Sequence, residues 1–513
     1  MAAQRPNILF VMADQMAAAP LPFHGGRVVK APHLSVLASR GVVFEGAYCA
    51  SPLCAPSRFS MLAGRRASAI GAYDNAAHFA ADVPTIAHHL RHAGYRTVLA
   101  GKMHFVGPDQ LHGYEERITT DIYPADFGWT PNWDAAAERI DWWYHNMLSV
   151  VQAGVCETSN QLDFDDEVAF QATRKLHELA RDGDGRPFFL TVSFTHPHDP
   201  YAIRQAYWDR YDHAAIDLPR NPTPFEAMDP HSKRLWKVSD MGRWALTEAR
   251  VRNARHAYYG AISYIDDRVG ELMAALRASG QAENTVVVFT ADHGDLLGEH
   301  GLWYKMHFYE GAVRVPLLMA WPGRWRPARI AAAASHLDLL PTLAAIAGSS
   351  GESDGRNLLP ALEGGAIPGE DAVVSEYLAE GAAAPVVMLR RGPYKLIHCP
   401  LDPPLLFDVV ADPDERSNLA TQPAHAGLLA GLMAEVARRW DLERLNAEVL
   451  ASQRRRRFVY QALRAGQFRS WDFQPFADAS RQYMRNHLDL NDLERRARFP
   501  TPDIPPPDGP DIG

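Results

Sequence analysis

Ile8-Leu-Phe-Val-Met-Ala13 is a short apolar run that follows Pro6 and leads directly into the carboxylate of Asp14. An uninterrupted apolar run of this length is typical of a parallel strand that is buried on both faces of a sheet. Similar runs recur at residues 97–100, 187–194, 285–290 and 315–320. The chain is therefore expected to build a buried sheet from strands that are far apart in sequence.

Helical patterns lie between these runs. Segment 84–93 begins with a proline and is followed by Gly94, which are start and stop signals of a helix. Segment 254–279 repeats apolar residues on one helical face and is followed by Gly280. Strands that alternate with helices predict an α/β fold with helices on both sides of the sheet.

Polar residues stand just after the predicted strands. They are Asp14 after the first run, Lys102 and His104 after the second, His196 and His198 after the third, and Asp292 and His293 after the fourth. Open α/β sheets bind ligands at this edge, so these side chains are candidates for one site. We expect His196 to lie behind the residues that contact the ligand, without contacting the ligand itself. Carboxylate and amide oxygens together with one imidazole, as in Asp14, Gln15, Asp292 and His293, suit a divalent cation.

Composition excludes several classes of protein. The 513 residues carry a net charge of -9 and no long basic stripe, which argues against a nucleic-acid partner. Four cysteines in so long a chain do not form a disulfide framework and are compatible with a reducing compartment. No signal peptide is evident, and no stretch approaches the ~20 apolar residues that span a bilayer. We therefore expect a cytoplasmic protein that does not bind membranes.

The sequence changes character near its C-terminus. Residues 386–397 predict a hairpin with a Gly-Pro turn, and a helix is expected from about 424 to 441. The last ~60 residues form an arm rich in aromatic side chains, which a disordered tail would lack. Its aromatic residues are Phe458, Tyr460, Phe468, Trp471, Phe473, Phe476 and Tyr483. The run Arg454-Arg-Arg-Arg457 predicts a solvated helix face, with a subunit contact as the alternative.

The most specific motif is Cys54-Ala-Pro-Ser-Arg58, followed by Leu62-Ala-Gly-Arg65. It resembles the Cys-x-Pro-x-Arg signature of the type I sulfatases, which belong to the alkaline phosphatase superfamily. A buried or disulfide-bonded cysteine in a turn is the alternative. The resemblance implies that a formylglycine-generating enzyme oxidises Cys54 to formylglycine.

The resemblance also implies the fold and the domains. It predicts an alkaline-phosphatase-like α/β fold, with a central mixed, mostly parallel sheet flanked by helices, a smaller C-terminal α+β subdomain and an extended tail. The corresponding boundaries are 1–375 for the catalytic domain, 376–450 for the subdomain and 451–513 for an oligomerisation tail.

The resemblance further implies roles at the site. Asp14, Gln15, Asp292 and His293, together with modified Cys54, would hold calcium. Many relatives have Asp-Asp where this chain has Asp14-Gln15, so magnesium or manganese remain alternatives. The hydrate of formylglycine would attack sulfur, with Arg58 holding it. The other implied roles are sulfuryl-oxygen binding for Lys102 and Lys305, protonation of the leaving group for His198 with Lys305, and removal of a proton for His104.

Several runs narrow the resemblance to the choline sulfatases. Among them are Tyr73-Asp-Asn-Ala-Ala77, Trp142-Trp-Tyr-His-Asn146 and Tyr483-Met-Arg-Asn-His-Leu-Asp-Leu490. A quaternary ammonium group needs aromatic faces and carboxylates. The predicted substrate-binding residues are Trp129, Glu380 (or, less favoured, Glu376), Asn75, His145 and Asp489, with Asp489 lent to a neighbouring subunit in a homodimer or homotetramer. The alternatives are a phosphonate monoester hydrolase or phosphodiesterase, and an unmodified, non-catalytic binder of quaternary amines.

Overall fold

The computed structural model describes residues 5–136, 138–181, 183–467, 471 and 489–504. Predictions that concern Phe468, Phe473, Phe476 and Tyr483 lie outside these residues. Within the described ranges, none of the helices has the length and apolar character needed to traverse a bilayer.

Strands of the described residues form three sheets. They are β1 (Asn7–Ala13), β2 (Val42–Tyr48), β3 (Arg96–Gly101), β4 (Glu116–Arg117), β5 (Gly154–Val155), β6 (Phe188–Ser193), β7 (Ala202–Ile203), β8 (Thr285–Ala291), β9 (Arg314–Ala320), β10 (Ala328–Ile330), β11 (Ala334–Ser335), β12 (Ala372–Tyr377), β13 (Val386–Arg391), β14 (Tyr394–His398) and β15 (Leu405–Asp408). The main sheet has the order β10-β2-β9-β8-β1-β6-β3-β4, with β11 beside β2, and β5 pairs with β7.

The centre of the main sheet is parallel. β1 lies between β6 and β8 and runs parallel to both, and β6 is also parallel to β3. All five apolar runs are strands, and β1 and β8 are buried along almost their whole length. β9 is antiparallel to β8 and to β2, which makes the sheet mixed. The predicted fold class is confirmed.

Helices flank this sheet. They are α1 (Pro32–Arg40), α2 (Cys54–Ala63), α3 (Ile86–His92), α4 (Leu148–Val151), α5 (Asn160–Arg181), α6 (Gln205–Trp208), α7 (Pro230–Val238), α8 (Glu248–Ala278), α9 (Glu310–Val313), α10 (Leu339–Ile346), α11 (Leu359–Leu362), α12 (Ala426–Arg439), α13 (Leu442–Arg464) and α14 (Leu490–Ala497). The two helices predicted from the internal patterns correspond to α3 and α8. The long α8 packs against α5 and α1.

The second sheet, β12-β13-β14-β15, is antiparallel. The predicted hairpin is confirmed, because Arg391 pairs with Tyr394 across the two-residue Gly392-Pro393 turn. This sheet begins with β12 at Ala372, just before the boundary expected at 376. The helices α12 and α13 follow it, and α14 lies in the described part of the arm.

Candidate active site

The polar residues that follow the central strands meet at one edge of the main sheet. Asp14 follows β1, Lys102 follows β3, and Asp292 follows β8. These strands are connected by parallel pairings through β1 and β6, so their C-terminal ends lie side by side. This geometry brings together groups that are nearly 280 residues apart in the chain.

Cys54 is the first residue of α2, and the whole of this helix is buried. The amide of Ala55 donates a hydrogen bond of 3.0 Å to Oδ1 of Asn75, which satisfies one of the free amides at the helix start. All four cysteines lie in the described residues and are free thiols, so Cys54 is buried but not disulfide-bonded. Burial raises the pKa of the unmodified Cys54 thiol to about 12, so the thiol is a weak nucleophile at neutral pH.

Two buried carboxylates beside Cys54 are held by Arg58, which lies one turn along α2. Its Nε donates to Oδ2 of Asp292 at 2.8 Å, and a terminal nitrogen lies 3.3 Å from Oδ2 of Asp14. Lys102 Nζ also pairs with Asp14. Burial alone would raise the pKa of Asp14, but the positive charges of Lys102 and Arg58 outweigh this effect and lower it. Asp14 is therefore ionised in a site without solvent contact.

The donor set around Cys54 fits a hard divalent cation. One ligand atom from each of Asp14, Cys54, Asp292 and His293 lies within 4.8 Å of the others. Cys54 Sγ is 3.2 Å from His293 Nε2 and 3.8 Å from Asp14 Oδ1. A concentration of anionic oxygens in a buried place is the arrangement that such a cation stabilises.

Gln15 presents its amide oxygen to the same site. Its Nε2 donates to Asp295 Oδ2 at 2.6 Å and to Asp199 Oδ1 at 3.3 Å, while its Oε1 accepts from Lys305 Nζ at 2.5 Å. The backbone of Gln15 has a φ of 61°, in the left-handed region. Its amide donates to Asp292 Oδ1 and its carbonyl accepts from Tyr258, and these bonds hold the strained conformation. The metal role of Gln15 stays a prediction, since its amide oxygen accepts from Lys305 in this structure.

His198 and Lys305 form a buried hydrogen-bonded pair. Lys305 Nζ lies 2.7 Å from His198 Nε2, and His198 Nδ1 donates to the carbonyl of Asp199 at 2.6 Å. Burial, with a further contribution from Lys305, lowers the pKa of His198 well below its usual value. His198 is thus a neutral imidazole whose Nε2 accepts from the ammonium group of Lys305. His196 lies behind this loop, where its Nδ1 is 2.7 Å from Asp165.

His104 is buried with neither ring nitrogen hydrogen-bonded to any described residue. It has a φ of 58°, and its amide donates to Asp121 Oδ2 at 2.9 Å. Its ring meets Trp129 edge to face at 5.6 Å. Burial, with a smaller contribution from the ammonium group of Lys102, lowers the pKa of His104 to about 3. The imidazole is therefore neutral and has a nitrogen available to accept a proton.

A pocket opens over Cys54 and continues into a group of aromatic side chains. Its lining residues are Cys54, Asn75, Tyr123, Trp129, Trp143, Tyr144, His145, Asn146, Ser149, His198, Asp199, Lys305, Glu380, Leu490, Asn491 and Glu494. Trp129 and Trp143 are nearly parallel with centroids 6.0 Å apart, and Tyr144 meets Trp143 edge to face at 4.4 Å. We call this part of the pocket the aromatic end and the part around Cys54 the Cys54 end.

Four of the five predicted substrate-binding residues line this pocket, namely Asn75, Trp129, His145 and Glu380. Asp489 does not. Its carboxylate caps α14 by accepting from the amides of Asn491 and Asp492. The residues that α14 places in the lining are Leu490, Asn491 and Glu494, in the pocket of their own chain, and Glu494 is the carboxylate among them. The helical spacing of Leu490, Asn491 and Glu494 puts them on one face, which is the signal that could have identified Glu494.

The carboxylates at the aromatic end are poorly solvated. Burial raises the pKa of Glu380 to about 7, and its Oε2 has no hydrogen-bond partner in the described residues. Burial also raises the pKa of Glu494 well above its usual value, with Asp199 and Asp489 adding to the effect. The less favoured Glu376 lies elsewhere, since it accepts from Ser68 and from Trp440 Nε1.

The described aromatic residues of the arm contact their own chain. Tyr460 stacks on Trp142 with centroids 6.4 Å apart, and Trp471 meets Phe127 edge to face at 4.7 Å. Phe458 is largely exposed. These contacts place the described part of the arm beside the loops of the aromatic end.

Comparisons with known proteins agree with this geometry. The family model "Sulfatase" matches residues 6–349, "N-sulphoglucosamine sulphohydrolase, C-terminal" matches 298–441, and "Choline sulfatase enzyme C terminal" matches 447–499. The choline-sulfatase of Rhizobium meliloti (strain 1021) is 48% identical over 508 residues, which cover 97% of this chain and 99% of that protein.

Solved structures share the fold. The phosphonate monoester hydrolase of Agrobacterium radiobacter has a TM-score of 0.70 at 23% identity, covering 87% of this chain and 96% of that one. The phosphonate monoester hydrolase of Silicibacter pomeroyi has a TM-score of 0.66 at 25% identity, covering 85% and 95%. Because the sulfatase model spans most of the chain and a relative is 48% identical over nearly all of it, the chain belongs to the sulfatase family of sulfuric ester hydrolases.

Proposed function

We propose that this sulfatase hydrolyses choline O-sulfate to choline and sulfate, using a formylglycine derived from Cys54 and one divalent cation, with calcium as the preferred ion. The observation that carries the proposal is the single pocket that joins Cys54 and its cationic neighbours to aromatic rings and two carboxylates. A small ester with an anionic sulfate and a cationic quaternary ammonium group matches both ends.

Asp14, Gln15, Asp292 and His293 would hold the cation together with modified Cys54. When bound, the cation supplies positive charge that lowers the pKa of a neighbouring hydroxyl and offsets charge on the sulfuryl oxygens. Oxidation of Cys54 by a formylglycine-generating enzyme supplies an aldehyde whose hydrate is the nucleophile. Arg58 orients this group, because its guanidinium is fixed between Asp14 and Asp292.

The chain's own residues supply charge and protons. Lys102 and Lys305 place ammonium groups against the sulfuryl oxygens in a site that excludes water. Choline leaves as an alkoxide, so it needs a proton, which the pair of Lys305 and His198 supplies. The Lys305 ammonium donates one N–H to Gln15 Oε1 and one to His198 Nε2, which orient it, and its third N–H provides the proton for the ester oxygen. His104 then takes a proton from the second hydroxyl of the sulfated formylglycine hydrate, so that the C–O bond to sulfate breaks, sulfate leaves and the aldehyde is restored. Its neutral, unpaired ring suits this role.

The aromatic end would bind the trimethylammonium group. This group cannot donate a hydrogen bond, so attraction to aromatic faces and to carboxylates must select it. Trp129, Trp143 and Tyr144 supply rings. A bound ammonium group favours the ionised forms of the buried Glu380 and Glu494, which then supply counter-charge. Asn75 contributes its amide nitrogen to a sulfuryl oxygen, since its Oδ1 already accepts from Ala55.

Hydrolysis of phosphonate monoesters or phosphodiesters is the second candidate, favoured by the likeness in fold to the two phosphonate monoester hydrolases. The test compares kcat/KM on choline sulfate, 4-nitrophenyl sulfate and a phenylphosphonate monoester, with protein produced together with a formylglycine-generating enzyme. We expect choline sulfate to be preferred. A preference for the phosphonate ester would overturn the proposal. An unmodified Cys54 peptide in fully active protein would overturn the mechanism, and an inactive protein that binds choline would indicate the non-catalytic binder.

The organisation of the protein is also a proposal. We infer a catalytic domain at 1–375, a subdomain at 376–450 and an oligomerisation tail at 451–513, in a cytoplasmic homodimer or homotetramer. The exposed Phe458 supports a role of the arm in assembly. Truncation after Gly466 preserves α13 and should lower the oligomeric state in light scattering. An unchanged mass would show that residues 467–513 are not needed for assembly.

A further inference from the structure

Arg456 differs from its neighbours in the run of four arginines on α13. Arg454 and Arg455 are exposed, as a solvated helix face requires, whereas Arg456 is only 4% exposed. A buried guanidinium is costly unless it is fully paired. The partners of Arg456 therefore indicate what this part of the C-terminal segment does.

Arg456 joins two loops of the catalytic domain. Its two terminal nitrogens donate to Oδ1 and Oδ2 of Asp74 at 2.7 and 2.6 Å, a bidentate pair with a carboxylate that is fully buried. One of these nitrogens also lies 3.2 Å from Oγ1 of Thr130. Bidentate pairing fixes direction as well as distance, so both loops are held relative to α13.

Each of these loops carries a residue of the pocket. Asp74 precedes Asn75, which binds the amide next to Cys54, and Thr130 follows Trp129. Gln453, which lies three residues before Arg456 on α13, makes a second contact with the loop of Trp129. Its Oε1 accepts from the amide of Trp133 at 2.9 Å.

Trp133 also connects this loop to the segment that carries Glu380. Trp133 Nε1 donates to the carbonyl of Ala379 at 2.8 Å, and Ala379 precedes Glu380. One face of α13 thus touches the immediate neighbours of Asn75 and Trp129 and reaches the neighbour of Glu380 through Trp133, although α13 itself does not line the pocket.

We propose that Arg456, with Gln453, is a positioning residue that sets substrate specificity, by holding the loops of Asn75, Trp129 and Glu380 in the geometry that receives the cationic end of the substrate. This inference rests on the proposed function and goes beyond it. α13 lies in the segment matched by the choline sulfatase C-terminal model, so the specificity of the catalytic domain depends on a segment outside it.

The experiment compares Arg456→Met and Arg456→Lys with Arg455→Met, a matched change at an exposed arginine. For Arg456→Met we expect the ratio of kcat/KM on choline sulfate to that on 4-nitrophenyl sulfate to fall about tenfold, mainly through KM. Arg456→Lys keeps the charge but loses the bidentate geometry, so it should lower this ratio, though less than Arg456→Met does. Arg455→Met should leave the ratio unchanged.

Loss of folding needs a separate control, because Arg456→Met leaves Asp74 buried and unpaired. Thr130→Val removes the contact on the Trp129 side together with the local bond from the Thr130 hydroxyl to the carbonyl of Phe127. It leaves the Arg456–Asp74 pair intact, so it should lower the ratio less and change the melting temperature less than Arg456→Met. If a folded Arg456→Met loses activity equally on both substrates, or keeps the wild-type ratio, the positioning role is overturned. If the wild type does not prefer choline sulfate, the proposed function itself fails, and this inference fails with it.

Discussion

The Cys54 end and the aromatic end of the pocket are built in different ways. The Cys54 end is made by residues that directly follow β1, β3 and β8, and by the first turn of α2. The aromatic end is made by Trp129, Trp143 and Tyr144, and Glu380 and α14 line the same pocket from more than 200 residues further along the chain. A sheet edge holds chemistry rigidly, whereas loops held by distant segments allow specificity to differ between relatives of one fold.

The largest effect is expected at the nucleophile. Cys54→Ala should reduce turnover of every sulfate ester by at least about 10⁴-fold, because no other group can form the covalent intermediate. Peptide mass spectrometry of the wild type should find Cys54 converted to the aldehyde or its hydrate. Substantial turnover by Cys54→Ala would contradict the assignment of the Cys54 end.

A smaller effect is expected from the residue that orients Gln15. Asp295 accepts from the Gln15 amide nitrogen, so its removal frees the amide to turn its oxygen away from the site. Asp295→Ala should weaken Ca²⁺ binding by about 10- to 100-fold in calorimetric titration. Tyr201→Phe removes only the hydroxyl that donates to Asp295 and should have a milder effect. Equal affinity in Asp295→Ala and the wild type would show that Gln15 needs no such support.

A substitution at the aromatic end should change the preference between substrates without impairing the reaction at the Cys54 end. Trp129→Ala should lower kcat/KM for choline sulfate about tenfold more than for an uncharged aryl sulfate, because a cation–aromatic contact in a desolvated place contributes about 1–2 kcal/mol. His145→Ala is a useful comparison, since His145 lies beside His198 and Asp199 and should affect both substrates. If Trp129→Ala lowers kcat/KM equally on both substrates, the indole only packs against its neighbours and does not bind the ammonium group.

The smallest effect concerns pH. Burial raises the pKa of Glu380 to about 7, so its carboxyl is protonated below that pH and cannot attract the ammonium group. We expect KM for choline sulfate to rise a few-fold as pH falls from about 7.5 to 6.5, because a change of one pH unit alters the ratio of protonated to ionised Glu380 tenfold. The aryl sulfate should lack this dependence, and Glu380→Gln should abolish it. The same pH dependence in Glu380→Gln would assign it to another group.

Local sequence by itself determined the fold class and the Cys54 end. Apolar runs mark strands because a strand buried on both faces tolerates few polar residues, and parallel strands place their C-terminal ends together. Asp14, Lys102, His104, His198 and Asp292 could therefore be assigned to one edge before any coordinates were known. Cys54-Ala-Pro-Ser-Arg58 is short enough to be recognised as a motif.

Only the tertiary structure decided the aromatic end. Asp489 and Glu494 lie on adjacent turns of the same arm, and sequence alone could not tell which carboxylate caps α14 and which lines the pocket. Four consecutive arginines look alike in sequence, yet Arg456 alone pairs with Asp74, because that pairing depends on how α13 packs against loops more than 300 residues earlier. Such long-range contacts leave no local pattern, and it is packing that selects among chemically equivalent side chains.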